Sequence, residues 1–247
     1  MLENFRENLN VVVVGATGGI GNAMVRALLE TPRVGHVYTF SRSPISEDLK
    51  QCSQITEIGI DITNEQSVAA AAQRLDGKLV DIVIVATGLL HAQNLAPEKS
   101  IKSLTAESFQ TVFMSNTLGP MLVAKHFLPL LRRDHKTVFS ALSARVSSIS
   151  DNRLGGWYSY RASKTALNMM LKSLAIECQR THPQAIVVGL HPGTVDTSLS
   201  KPFQKQVKPD QLFLPHNAAE SLLQVIDGLT LEDSGNLFAW DAKQISP

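Results

Sequence analysis

Short apolar runs rich in β-branched residues alternate along the chain with longer segments in which apolar residues recur at helical spacing. The short runs lack the polar alternation of a half-exposed strand, so each predicts a strand buried on both faces of a sheet. Strands that alternate with helical segments are typical of βαβ units on a parallel sheet. The predicted strands are Val11–Val14, His36–Phe40, Ile55–Ile60, Val80–Val85, Thr137–Leu142, Ala185–Leu190 and Leu237–Trp240.

Segments of helical period lie between these strands. The predicted helices are Ile20–Glu30, Glu65–Leu75, Ala106–Leu131, Trp157–Thr181 and His216–Gly228. Gly119-Pro120 interrupts the third helix, where we expect two helices or a kink because proline cannot continue the hydrogen-bond ladder. Residues 198–215 contain three prolines and three lysines, which predict an irregular insertion that serves as a substrate lid.

The pattern extends along the whole chain without a visible boundary. No change of composition, internal repeat or low-complexity tract divides it, so residues 1–247 are predicted to form one dinucleotide-binding domain. The expected fold is a single Rossmann-type, doubly wound parallel sheet of about seven strands with helices on both faces.

Composition narrows the classes of function. A hydrophobic content of 44% favours a packed core, and a net charge of +1 gives no field that would attract nucleic acid or a membrane surface. A small-molecule substrate is therefore expected. Cys52 and Cys178 form neither a disulfide framework nor a CxxC pair, and no early apolar run is long enough for export, which favours a cytoplasmic protein. The histidines lack metal-ligand spacing, so no metal is expected.

A glycine-rich turn follows the first predicted strand and opens the first predicted helix. It reads Gly15-Ala16-Thr17-Gly18-Gly19-Ile20-Gly21. Glycines let backbone N–H groups approach a pyrophosphate, and a helix N-terminus favours its negative charge. An ordinary tight turn has the same composition, but the strand-turn-helix context favours dinucleotide binding.

The end of the second predicted strand indicates which dinucleotide binds. It reads Thr39-Phe40-Ser41-Arg42-Ser43 and carries no carboxylate to bond a ribose 2′-hydroxyl. Arg42 instead offers a guanidinium fork suited to a 2′-phosphate, so NADP(H) is expected. The alternative is that Arg42 is an ordinary solvated charge.

A Tyr-x-x-x-Lys pair lies in the fourth predicted helix. Tyr160 and Lys164 share one helix face because they are four residues apart, whereas Tyr158 lies on another face. A free phenol has a pKa of about 10, and a nearby ammonium favours the phenolate. The pair therefore predicts proton transfer by Tyr160, although the same spacing also occurs by chance in amphipathic helices.

Together, the Gly-x-x-x-Gly-x-Gly turn and the Tyr-x-x-x-Lys pair resemble the short-chain dehydrogenase/reductase family. The run from Gly155 to Lys164 and the ending Gly235–Asp241 resemble its branch of C-factor and sniffer-type carbonyl reductases. The resemblance implies further cofactor contacts at Asp61, Ile62, Ala86, Thr87, Gly88, Lys164, Pro192, Gly193, Val195 and Thr197. Ala86-Thr87 departs from the family's usual Asn-Ala.

The resemblance also implies further catalytic residues. Ser143, at the end of the fifth predicted strand, would bond the substrate oxygen, with Ser147 as the alternative because the spacing from Ser143 to Tyr160 is longer than usual. Asn116 would help to hold a water for proton relay. Family members occur as monomers, dimers and tetramers, so a homodimer or homotetramer is allowed.

The predicted function is an NADP(H)-dependent oxidoreductase that interconverts a carbonyl and an alcohol. Apolar residues near the predicted site favour an apolar substrate. The alternatives are an NADP(H)-binding signalling or sensing protein without significant turnover and, less strongly indicated, an isomerase or epimerase on the same fold.

Overall fold

The computed structural model describes residues 1–247, apart from the side chain of Gln206. The strands are β1 (Leu9–Val14), β2 (Val34–Ser41), β3 (Ile55–Gly59), β4 (Ile82–Val85), β5 (Thr137–Leu142), β6 (Ala185–His191), β7 (Thr194–Val195), β8 (Leu212–Phe213) and β9 (Leu237–Ala239). The helices are α1 (Gly19–Leu29), α2 (Glu47–Lys50), α3 (Glu65–Gln73), α4 (Ala106–Phe113), α5 (Gly119–Phe127), α6 (Tyr158–Thr181) and α7 (Pro215–Gly228).

Seven strands form one parallel sheet in the order β3-β2-β1-β4-β5-β6-β9. The strand order reverses between β1 and β4, so the carboxyl ends of these two strands flank a crevice where the following connections diverge. All seven strands predicted from the sequence belong to this sheet, and helices cover both faces. The predicted doubly wound fold is therefore confirmed.

The packing of β1 explains why its apolar residues are continuous. Val11 and Val13 pack into a core with α1 and α7, whereas Val12 and Val14 pack into a second core with α3, α5 and α6. Because successive side chains of a strand point to opposite faces, a strand with helices on both sides requires an apolar residue at every position.

The predicted interruption of the third helix is confirmed and takes the form of a π-helical turn. Met114–Leu118 forms this turn between α4 and α5, and Pro120 lies in the first turn of α5. Proline has no N–H to donate to the carbonyl four residues earlier, and its ring would clash with that carbonyl, which belongs to Asn116. A widened turn around Asn116 avoids both problems.

The segment 198–215 is more regular than the sequence predicted. It contains two 3₁₀ turns, Lys201–Gln206 and Pro209–Gln211, and β8 pairs in parallel with β7. The short α2 also escaped prediction, because four residues are too few to show a period. Among the described residues, no helix combines the length and the apolar character needed to cross a membrane.

Candidate active site

Two adjoining cavities lie at the carboxyl edge of the sheet. The larger, of about 770 Å³, opens beside the ends of β1 to β4, and the smaller, of about 190 Å³, lies between the α1 turn, β5 and α6. The predicted residues lining the larger cavity are Gly15, Thr17, Gly18, Ser41, Arg42, Asp61, Ile62, Ala86, Thr87 and Gly88. Those lining the smaller one are Gly18, Gly19, Ile20, Ala86, Thr87, Gly88, Ser143, Tyr160, Lys164, Pro192 and Thr197.

The glycine turn fits an anion at its open side. Gly15 has a φ of +88°, and a Cβ on Gly21 would lie 2.1 Å from the Gly15 carbonyl oxygen, so neither position accommodates a side chain without a shift of the backbone. Helix α1 starts at Gly19, has Gly18 as its cap and carries no acidic residue in its first turn. The first N–H groups of a helix have no intrahelical partner, so this end suits a pyrophosphate.

The turn after β4 packs directly on the glycine turn. A Cβ on Gly15 would lie 2.9 Å from Thr87 Cγ2 and 3.0 Å from the Ala86 carbonyl carbon. Thr87 Oγ1 is buried without a described hydrogen-bond partner. The Thr87 methyl group therefore packs against the glycine turn, at a position where the family that the sequence resembles usually has alanine.

Arg42 lies exposed on the wall of the larger cavity. It forms no ion pair with another described side chain. Asp61 accepts hydrogen bonds from the hydroxyl and the N–H of Thr63 at 2.7 and 3.0 Å. These bonds, aided by the positive charge of Arg42, lower the pKa of Asp61. The Asp61 carboxylate is thus held by Thr63, while the Arg42 guanidinium remains available to an anion.

Tyr160 and Lys164 lie one turn apart on α6 and face the smaller cavity. Their exposed fractions are 9% and 2%, whereas Tyr158 is 40% exposed. Lys164 Nζ donates a hydrogen bond to the Leu142 carbonyl oxygen at 2.7 Å. The structure thus brings together the phenol and the ammonium that the sequence paired, and leaves the competing phenol on the surface.

The expectation that Lys164 lowers the pKa of Tyr160 is wrong in this structure. Burial raises the pKa of Tyr160 to about 12 and lowers the pKa of Lys164 to about 8. Loss of hydration disfavours the charged form of each group, and burial is the cause of both shifts. The phenol is therefore protonated at neutral pH, the state required of a proton donor.

The two candidate serines differ in their surroundings. Ser143 lines the smaller cavity, and its hydroxyl donates to Asn168 Oδ1 at 2.7 Å. Ser147 does not line it; its hydroxyl donates to the Ala144 carbonyl at 2.5 Å and accepts from Asn168 Nδ2 at 2.7 Å. The geometry favours Ser143 as the serine that meets a substrate.

Asn116 is buried within the π-helical turn. Its side chain accepts from the Leu89 N–H at 2.7 Å and donates to the Leu89 carbonyl at 2.8 Å. It also donates to Ser163 Oγ at 3.2 Å. The side chain thus ties the loop after β4 to α6, and it does not line either cavity.

The segment after β6 closes the smaller cavity. Thr197 covers the glycine turn, since a Cβ on Gly19 would lie 2.5 Å from Thr197 Cγ2. Gly193 has a φ of +78° and adjoins the Phe213 ring, while Val195 is buried and pairs with Phe213 between β7 and β8. Gly193, Val195 and Gly21 line neither cavity and instead lie next to residues that do.

An aromatic cluster adjoins Tyr160 through the Trp157 ring. The Trp157 ring lies 6.1 Å from the Tyr160 ring and 5.0 Å from the Phe203 ring, and Phe203 lies 5.7 Å from the His91 ring, between ring centres. His91 Nε2 also lies 3.1 Å from the Ser198 carbonyl oxygen. The loop after β4 and the segment 198–215 therefore meet at Phe203, next to the Trp157 ring that adjoins the phenol.

Glu98 is a buried residue that the sequence analysis missed. The N-cap of α6 is Trp157, whose backbone is left-handed and whose side chain makes no capping bond. The Glu98 carboxylate takes over this role, since it accepts from the N–H of Ser159 at 3.1 Å and from the Ser159 hydroxyl. Only tertiary structure joins these distant residues. In the sequence, the only indication of this role was that an acidic residue lies in the loop after β4.

Known proteins resemble this chain over most of its length. Residues 9–208 match the short chain dehydrogenase family. The 1-hydroxy-2-glutathionyl-2-methyl-3-butene dehydrogenase of Rhodococcus sp. (strain AD45) is 33% identical over 225 residues, which are 91% of this chain and 93% of that protein.

Solved structures show the same fold. The NADPH-bound carbonyl reductase from chicken fatty liver has a TM-score of 0.85 at 24% identity, covering 99% of this chain and 97% of that one. Carbonyl reductase Sniffer of D. melanogaster has a TM-score of 0.84 at 23% identity, covering 98% and 100%. With the family match over most of its length, this chain belongs to the short-chain dehydrogenase/reductase family of oxidoreductases, and it shares its fold with two carbonyl reductases.

Proposed function

We propose that this oxidoreductase uses NADP(H) to interconvert a carbonyl and an alcohol. The observation that carries the proposal is the convergence of Tyr160, Lys164 and Ser143 on one small cavity, which adjoins a cleft suited to a dinucleotide. A protein that needed only to retain a nucleotide would not require a protonated phenol and a buried ammonium beside it.

The chain offers a distinct partner for each part of NADP(H). In this proposal the glycine turn holds the pyrophosphate, Asp61 and Ile62 border the adenine, and Arg42 binds the 2′-phosphate. Lys164 bonds the nicotinamide ribose, and Pro192 and Thr197 face the carboxamide. The bound NADPH of the chicken carbonyl reductase supports the choice of cofactor.

The reduced nicotinamide, when bound, supplies a hydride to the carbonyl carbon. Tyr160 then donates the proton of its hydroxyl to the substrate oxygen, for which a pKa of about 12 keeps it protonated at neutral pH. Ser143 donates a hydrogen bond to the same oxygen as negative charge develops there.

Lys164 returns the proton. With a pKa of about 8 it is mostly cationic at pH 7, and it lies one helical turn from Tyr160. The Asn116 side chain is engaged with Leu89, so a water that relays the proton would bond the Asn116 backbone carbonyl.

The walls of the smaller cavity favour an apolar carbonyl compound. Leu199 lines this cavity, and the Trp157 ring adjoins the Tyr160 ring and packs against the Phe203 ring. We propose that segment 198–215 acts as the lid of a single catalytic domain that spans residues 1–247. Turnover restricted to small charged substrates would contradict this preference.

The proposed setting is a cytoplasmic homodimer or homotetramer. Cys52 and Cys178 are both free thiols, as expected in a reducing compartment. Met169 and Ile176 lie two turns apart on α6 and are 66% and 56% exposed, which favours burial against another subunit. Sedimentation velocity would test the assembly, and a purely monomeric protein would contradict it.

The test is NADPH oxidation over a panel of carbonyl compounds, together with NADPH binding measured by fluorescence. We expect Tyr160→Phe to bind NADPH like the wild type and to lose at least about 100-fold in kcat, in line with a general acid. Binding without turnover of any compound would instead favour the sensing alternative. Tightly retained cofactor with no net change in its redox state would favour an isomerase or epimerase.

The choice of cofactor is tested with Arg42→Ala. Loss of charge-assisted hydrogen bonds worth about 1.5–3 kcal/mol would weaken NADPH binding about 10- to 100-fold and leave NADH binding unchanged. Arg26→Ala is a suitable control, because Arg26 is an exposed cation paired with Asp48 outside both cavities. Equal losses for NADPH and NADH would exclude a 2′-phosphate contact at Arg42.

A further inference from the structure

Asn168 joins the two serines that the sequence analysis could not separate. Ser143 Oγ donates to Asn168 Oδ1, and Asn168 Nδ2 donates to Ser147 Oγ, both at 2.7 Å. The amide lies close to β6, since a Cβ on Gly189 would be 3.4 Å from Asn168 Oδ1. The side chain is thus enclosed between two hydroxyls and a strand.

This arrangement directs the hydrogen of Ser143 away from the substrate. A serine hydroxyl has one hydrogen to donate, and here it goes to Asn168. A substrate oxygen that gains negative charge needs that hydrogen. The network must therefore change direction before Ser143 can serve the proposed reaction.

A half turn of the Asn168 amide achieves this change without leaving a group unpaired. Nδ2 would then donate to Ser143 Oγ, and Ser147 Oγ would donate to Oδ1 instead of to the Ala144 carbonyl. Ala144 would keep a partner, because its carbonyl oxygen also accepts from the Ser147 N–H at 3.0 Å. The amide has nearly the same shape in both orientations, so the surrounding packing is preserved.

We propose that Asn168 is a positioning residue that sets the direction of the Ser143 hydroxyl. With Asn168 Nδ2 as donor, Ser143 Oγ accepts one hydrogen bond and turns its own hydrogen to the substrate oxygen. A hydroxyl that accepts a hydrogen bond is a stronger donor, because bonds in a chain polarise one another. In this orientation Ser147 completes the network by donating its hydrogen to Asn168 Oδ1. The inference rests on the proposed carbonyl reduction.

The test is Asn168→Asp, assayed with NADPH and the best carbonyl substrate of the panel. A carboxylate of the same size can only accept, so it retains the hydrogen of Ser143. We expect kcat to fall about 100-fold, with KM and NADPH binding unchanged, and to recover at acid pH where the carboxyl becomes a donor again. Thermal unfolding and NADPH fluorescence check that the variant folds.

The same substitution in a Ser143→Ala background identifies the route of the effect. If Asn168 acts through Ser143, the double variant has the kcat of Ser143→Ala alone. An equal loss in both backgrounds would mean that the new charge acts directly on the reaction and would overturn the proposal. So would wild-type kcat in Asn168→Asp.

Ser147→Ala tests the same chain of bonds if Asn168→Asp does not fold. We expect a several-fold loss of kcat that disappears in the Ser143→Ala background, and a loss that persists there would overturn the proposal. Full activity in Ser143→Ala would show that the serine assignment itself is wrong. Full activity in Tyr160→Phe would instead overturn the proposed reductase mechanism, so the two failures are distinguishable.

Discussion

Replacement of Lys164 by methionine should make the folded protein more stable while it abolishes turnover. Burial lowers the pKa of Lys164 from 10.5 to about 8, so at pH 7 the ammonium costs about 3 kcal/mol of folding free energy. Methionine has a similar length and no charge to bury. It leaves the Leu142 carbonyl without its donor, which costs about 1 kcal/mol.

The net expectation is a gain of about 2 kcal/mol, or about 4–8 °C in Tm for a chain of this size. Urea unfolding followed by tryptophan fluorescence, without NADPH, measures it. The wild type should gain stability between pH 8 and 10.5, because only its unfolded state still binds the proton there. Lys164→Met should lack this gain, and Tyr160→Phe, which keeps Lys164, should retain it. A less stable methionine variant at pH 7, or equal pH slopes, would refute the reasoning.

Three further predictions concern the framework of the site. Glu98→Ala should lower the free energy of unfolding by about 1–3 kcal/mol through loss of the α6 cap, while the adjacent exposed Lys99→Ala should not; equal Tm values would contradict this role. Gly21→Ala should lower the free energy of unfolding by about 1–3 kcal/mol and abolish NADPH binding, because its Cβ would overlap the Gly15 carbonyl. The control is Gly59→Ala, whose Cβ would face open space and which should change the free energy of unfolding by no more than about 0.5 kcal/mol. Phe203→Ala should raise KM about 3- to 10-fold at unchanged kcat, because it removes the ring contact with Trp157. The control is Lys205→Ala in the same segment. An unchanged KM in Phe203→Ala would argue against a lid.

The strands of the central sheet could be predicted because they are buried on both faces. Continuous apolar runs such as Val11–Val14 have no other stable place in a folded chain, so local composition suffices to locate them. The interruption near Gly119-Pro120 was equally local, since proline lacks the N–H that a helix requires. Short elements such as α2 and β8 depend on tertiary contacts and left no periodic signal.

The residues of the site also fall into two groups, those that the sequence predicts and those that only tertiary packing determines. Residue types whose chemistry is specific, such as the glycine turn, Arg42 and the Tyr160–Lys164 pair, were found from the sequence because strand ends and helix spacing place them at one edge of the sheet. Tertiary packing determined the rest. It buried Tyr160 and Lys164 enough to reverse the expected pKa shift of the phenol, and it brought Glu98 to the start of α6. It also placed Asn168 between Ser143 and Ser147. Desolvation and hydrogen bonding depend on neighbours distant along the chain, which no local pattern encodes.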